Sequence, residues 1–168
     1  MTAPIEPAAP AIVDVVDRWR RYMRGELPGG LDDLLDDEVI LYSPVVFTPQ
    51  TGKEIVALYL TAAALTFPGD AAPTSTGRAF HYTKQIIAGD TAVLEFETTM
   101  AGKHVNGVDI VRVNEHGRIV EFRVMVRPLQ ALNTVHQLMG AALQTLSDPG
   151  TTSATPALTA GGSATPAH

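Results

Sequence analysis

Residues 107–128, GVDIVRVNEHGRIVEFRVMVRP, restrict the fold more than any other stretch of this chain, because two runs of alternating side chains flank a turn that contains Gly117. Strand side chains point to opposite faces in turn, so Val105, Gly107, Asp109, Val111 and Val113 share one face and Asn106, Val108, Ile110 and Arg112 the other. After the turn, Val120, Phe122, Val124 and Val126 fall on one face, with Ile119, Glu121, Arg123, Met125 and Arg127 opposite. The pattern predicts an antiparallel hairpin, with Gly117 able to supply the positive φ its turn requires. Asp109 therefore falls among valines.

An acid turned toward a core loses hydration, which disfavours its charged form and raises its pKa unless a cation or several donors stand beside it. In a dry pocket such a carboxyl can keep its proton and donate a hydrogen bond. Asp109 is thus a candidate catalytic acid, a polar anchor for a ligand, or a structural acid paired with Tyr22, Tyr59 or His81.

The rest of the chain supplies partners for this hairpin. A first helix is predicted over residues 11–24, where Ile12, Val15, Val16, Trp19, Tyr22 and Met23 recur at helical spacing and Gly25 begins the exit. A short acidic helix over 31–36 leads into a strand at 39–42, after which Pro44 and Pro49 limit regular pairing. Thr51 and Glu54 have capping-box spacing, predicting a third helix that Pro68 and Gly69 end. Strand-like runs follow at 78–87, 91–100, 104–114 and 119–127, joined by turns at Gly89, Gly102 and Gly117. Pro128 opens a last helix reaching about residue 146, striped by Leu132, Val135, Leu138, Met139 and Ala142. Residues 1–10 and 147–168, rich in Ala, Pro, Gly, Ser and Thr, read as disordered extensions around one domain at 11–146. Helices followed by sequential hairpins predict an α+β domain, a cone-shaped curved antiparallel sheet with helices on its concave face. Val108 and Ile110 make the convex face apolar too, which predicts a homodimer through the sheet or a cover from the last helix.

Composition narrows the functional classes. A length of 168 residues, 45% hydrophobic, suits a single core. The net charge of −6 and twelve scattered basic residues leave no basic stripe for nucleic acid or an anionic membrane. The longest apolar run, residues 55–67, is short for a membrane span, and the N-terminus lacks the basic start of a secretory signal. Without cysteine there is no thiolate chemistry, and a reducing cytoplasm is the expected setting. The five histidines are dispersed without close ligand spacing, so neither a metal nor a cofactor is expected. Asp32, Asp33, Asp36, Asp37 and Glu38 read as a solvated helix face. Ser43 lacks the setting of an activated nucleophile. Either His81 or Tyr82 must face inward; if His81 does, it is the natural base, since imidazole titrates near neutrality.

The element order, together with VDIVRVNEHGRIVEF, LDDLLDDEVILYSP and TGKEIVALYL, resembles the SnoaL-like branch of the nuclear transport factor 2-like superfamily, which includes ketosteroid isomerases and polyketide cyclases. The resemblance covers roughly residues 11–130 and implies a conical α+β fold, a buried pocket for a small hydrophobic molecule and a homodimer. It places Asp109 where ketosteroid isomerases hold a protonated Asp that binds the developing oxyanion, a case long used to illustrate a carboxyl kept neutral by its site. Tyr22 falls near the family's oxyanion-binding tyrosine. The residues expected around the ligand are Trp19, Tyr42, Tyr59, Leu94, Phe96, Gly107, Phe122 and Val124. Where the isomerases place their general-base Asp, this chain reads Tyr42, Ser43, Pro44, and where limonene epoxide hydrolases add a carboxylate it has Val124. Neither a serine hydroxyl nor a phenol abstracts such a proton near neutral pH without activation.

Three readings follow: a pocket domain binding a steroid-, polyketide- or terpenoid-like molecule; an isomerase, cyclase or hydratase using Asp109 with His81 or Tyr22; or a non-catalytic dimerisation module.

Overall fold

The structure, a computed structural model, describes residues 5–67 and 79–147. Helix α1 (Pro10–Met23) opens on a proline whose missing N–H costs nothing in a first turn, and it buries Ile12, Val15, Val16 and Trp19 along one stripe. A short α2 (Gly30–Leu34) runs straight into β1 (Leu35–Tyr42), so the acidic cluster is split between a helix and a strand and is not one helix face. Asp37, on β1, pairs with Lys53 at 2.6 Å.

Strand β2 (Gln50–Thr51) pairs with β1 and precedes α3 (Lys53–Thr66). The expected capping box does not form. Thr51 is drawn into the sheet opposite Ile40, and Gly52 at φ 103° takes the N-cap, with no side chain capping the helix.

Strands β3 (His81–Ala88), β4 (Thr91–Met100), β5 (Lys103–Val113) and β6 (Ile119–Arg127) form the expected antiparallel meander. The six-stranded sheet runs β2-β1-β6-β5-β4-β3, and β1 lies parallel to β6, so the sheet is mixed. Helix α4 (Leu129–Ser147) closes the chain.

All the helices that carry core residues lie on one side of the sheet. Inward side chains of β4 and β5, including Leu94 and Val111, join the α1 stripe in one core cluster. Phe96, Met100 and Val105 join Ala131, Val135 and Met139 of α4 in a second, which places α4 on the concave side and leaves the convex face without it. The α4 stripe is also rotated: Ala131 and Thr134 are buried while Leu138 is 39% exposed.

Alternation holds along β5, where Val105, Gly107, Asp109, Val111 and Val113 are all buried. On β6 it breaks once. A register shift lets Val113 pair with Ile119 while Arg112 pairs with Glu121, and this turns Ile119, expected on the outer face, fully into the core. At the other end of the chain, the expected N-terminal extension is tied down from Glu6 onward: Gly89 N–H donates to the carbonyls of Glu6 and Pro7, and Ala9 N–H donates to Gly89. Residues 1–4 and 148–168 of the expected extensions lie outside the described residues.

Gly107 is opposite Phe96 in the ladder, and a Cβ there would stand 2.2 Å from Phe96 Cζ and 2.8 Å from the Met125 carbonyl oxygen. The Phe96 ring lies on the sheet because this position has no side chain. Gly107→Ala should therefore cost about 1–3 kcal/mol through overpacking, read as a lower denaturant midpoint at unchanged slope; an unchanged midpoint would show that the ring has room to give.

Candidate functional site

Asp109 sits in the middle of β5, between Leu94 of β4 and Val124 of β6 in register, and is 5% exposed. Its partner comes from the edge strand. Tyr82 Oη donates to Asp109 Oδ2 at 2.7 Å, and Trp19 Nε1 of α1 donates to Tyr82 Oη at 2.7 Å. Three elements far apart in sequence thus meet in one line of hydrogen bonds.

The electrostatics follow from burial. Loss of hydration pushes the Asp109 carboxyl up from the usual 3.8 to about 7, the Tyr82 hydrogen bond opposing the rise. Burial, and then the Asp109 charge, pushes the Tyr82 phenol well above its usual range, so it remains a donor. Arg20 stands with its guanidinium carbon 5.9 Å from the Tyr82 ring centroid and donates to Gln85 Oε1 at 2.7 Å.

Asp109 faces a cavity of about 60 Å³ whose wall includes Trp19, Met23, Leu60, Phe67, Phe80, Phe96, Phe122 and Val124. Asp109 is the one ionisable side chain among the residues that line it. A second cavity, of about 50 Å³, shares Leu60, Ala63, Phe67 and Val124 with the first and continues to Leu41, Ser43, Pro44, Tyr59, Val135 and Met139. Phe67 stands edge-on to Phe80 and Phe96, with centroids at 6.2 and 5.8 Å, and belongs to both walls.

The structure brings Asp109, Trp19, Phe96, Phe122 and Val124 to the first cavity and Tyr59 to the second. Leu94 is fully buried in the packed core beside Asp109, and Gly107 lies beneath Phe96. Three expected site residues are elsewhere. His81, opposite Glu97 in the ladder, turns away with its Nδ1 3.0 Å from the Ala79 carbonyl, because Tyr82 takes the inward position. Tyr22 stacks on Trp19 at 5.4 Å and hydrogen-bonds Thr61; burial raises its pKa, but it does not reach Asp109. Tyr42 follows the inward Leu41, so it points to the convex face, where Arg123 lies 4.1 Å from its ring centroid.

Of the two alternatives His81 and Tyr82 the structure turns Tyr82 inward, and Arg20 is the residue that sequence reasoning missed. Phe80, two residues before Tyr82, turns inward with it. Among the described residues no group of three or more His, Asp or Glu could hold a metal, and no helix is long and apolar enough to cross a membrane.

No protein-family model matches the chain, and no curated protein matches it. Solved structures do. A steroid delta-isomerase from Pseudomonas aeruginosa is 28% identical, with a TM-score of 0.73 over 84% of this chain and 97% of its own. A protein with a cystatin-like fold from Silicibacter pomeroyi is 23% identical, at 0.67 over 83% and 90%. A nuclear transport factor 2-like protein of unknown function from Mesorhizobium loti is 24% identical, at 0.56 over 70% and 92%. The fold is that of the nuclear transport factor 2-like superfamily, the one the sequence resembles.

The raised pKa fixes a pH signature. A carboxyl protonated more readily in the folded than in the unfolded chain makes no demand on stability well below the usual 3.8, where both states carry the proton. As pH rises toward 7, the unfolded chain gives up the proton and the folded one holds it, so stability falls and stays low above the folded pKa. With the pKa moved from 3.8 to about 7, the loss is on the order of 4 kcal/mol. Asp109→Asn should remove that slope in urea titrations between pH 4 and 8 and be more stable than the parent at pH 8; a parent curve flat over this range would mean that the carboxyl is hydrated.

Proposed function

We propose that this chain is a pocket domain that binds a small neutral molecule, apolar in body and carrying a hydrogen-bond acceptor, with the protonated Asp109 carboxyl as the donor. The observation that carries the reading is a dehydrated acid, the one ionisable group in an otherwise apolar wall. Ligand sites of this kind are concave and mostly apolar with few convergent polar groups. Among the steroid-, polyketide- and terpenoid-like classes, size favours the terpenoid end. A cavity of about 60 Å³ is small beside the roughly 300–1,000 Å³ of sites that enclose drug-sized ligands, and a fused-ring ligand would have to displace Phe67.

A thermal-shift panel of monocyclic terpenoid ketones, phenolic aromatics, steroids and epoxides tests this. A ligand at a hundred times its Kd adds about 2.7 kcal/mol, so monocyclic ketones should raise Tm by several degrees in the parent and not in Asp109→Leu. Silence across the panel would sink the binding reading.

A second reading has its own support: a carboxyl titrating near neutrality can both give and take a proton at working pH, as isomerase or cyclase chemistry requires. The similar Pseudomonas aeruginosa protein is a steroid delta-isomerase. Any such reaction here would run on Asp109, the one ionisable group in the wall of the first cavity.

We also propose a homodimer through the sheet. Ile86, Val93 and Ile110 form one cross-strand row on the convex face, with Met125 and Val108 paired beside it; Ile86 and Met125 are more than half exposed. Sedimentation should give a dimer for the parent and a monomer for Ile110→Glu; a parent that sediments as a monomer at tens of micromolar would remove the proposal.

A further inference from the structure

The line of hydrogen bonds behind Asp109 has a direction. An indole N–H can only donate, so Trp19 occupies one side of the Tyr82 oxygen and the phenol's own hydrogen is left to point the other way, into Asp109 Oδ2. Oδ2 is thereby committed as an acceptor. The acid's proton belongs on Oδ1, which receives no hydrogen bond from a described residue and is the oxygen left for the cavity. Tyr82 itself is not in the cavity wall.

We propose that Tyr82 and Trp19 are positioning residues of the binding site, holding the Asp109 carboxyl so that its cavity-side oxygen alone offers a proton to a ligand's acceptor. The inference rests on the binding reading given above. It adds to it a chemical selectivity, for ketones and ethers over hydrocarbons of the same shape, and a pH window set from behind the site. Donation from Tyr82 favours the carboxylate, so it brings forward, on raising the pH, the point at which Asp109 stops being a donor. The indole N–H polarises the phenol and strengthens that donation. The charged or titratable groups facing this line are few. Tyr82 comes from β3 and Arg20 from α1, acting across the Tyr82 ring, while α3, β4 and β6 present Leu60, Phe96, Phe122 and Val124.

The test is the pH profile of cyclohexanone binding, measured by calorimetry on the full chain, with methylenecyclohexane as the hydrocarbon of matching shape. In the parent, cyclohexanone affinity should fall as Asp109 deprotonates, while methylenecyclohexane affinity stays level. Tyr82→Phe should move the midpoint of that fall upward by about one pH unit, one hydrogen bond's worth, and Trp19→Phe should move it the same way by less. Either variant serves if the other does not fold. Loss of affinity at every pH with the midpoint unmoved would mean that Tyr82 and Trp19 only pack, which overturns the positioning role and leaves the binding reading standing. Equal affinity of the parent for the two probes at every pH would overturn both.

Discussion

A carboxyl group taken out of water is the constraint from which most of this structure can be reasoned. Without a partner, a buried polar group costs several kcal/mol, and a buried charge more. Asp109 meets this by two routes at once: it holds its proton to about pH 7, and it accepts a hydrogen bond from Tyr82. The second route dictates geometry. For Tyr82 to reach Oδ2 its ring must lie on the concave side, which sets the face of β3, opposite Phe96, and sends His81 outward. For the phenol oxygen to be satisfied in turn, Trp19 must come down onto it, which fixes the rotation of α1 over the sheet. The polar line thus locks together elements that apolar packing alone would leave free to slide.

The shape of the cavity is a consequence of side-chain size around that line. Phe67 packs edge to face on Phe80 and Phe96, whose rings are tilted 32° to each other, and Phe96 can lie flat only because position 107 is glycine. On the opposing wall Ala63 and Ala64 are small. Large residues on the sheet side and small ones on the helix leave a gap where they face each other, occupied by two cavities with Leu60, Ala63, Phe67 and Val124 in both walls. The chain is similar in fold to a steroid delta-isomerase. A shared architecture does not carry a shared substrate.

The hairpin of β5 and β6 was legible because its two faces differ in polarity at nearly every position, so a one-residue error would invert the core. That is why Asp109, Phe122 and Val124 could be placed from sequence. The strand β3 offered no such contrast: Thr83, Lys84 and Gln85 are exposed in succession and a bulge follows Tyr82, so parity could not decide between His81 and Tyr82. Ile119 was misplaced by a bulge that no local signal marks. The parallel pairing of β1 with β6 joins strands that β2, α3 and the first three strands of the meander separate in the chain, so no local pattern marks it. The capping spacing at Thr51 was real, but a ladder position opposite Ile40 competed for the same residue. Tyr42 was placed at the site through the resemblance, although the parity of Leu41 already turned it outward.

One ionisable group in the cavity wall also determines how a ligand and a proton depend on each other. A molecule that accepts a hydrogen bond from Asp109 binds the acid form, so by linkage its binding raises the pKa further and draws a proton from solution near neutrality. An anion would meet a carboxylate, or force one to stay protonated, in a protein already carrying a net charge of −6. A cation would bring the opposite linkage, favouring the carboxylate, but would lose its hydration against an almost wholly apolar wall. A neutral acceptor avoids both penalties. The same carboxyl that makes the fold costly above pH 7 is therefore what gives the cavity its preference, and relieving the first by substitution removes the second.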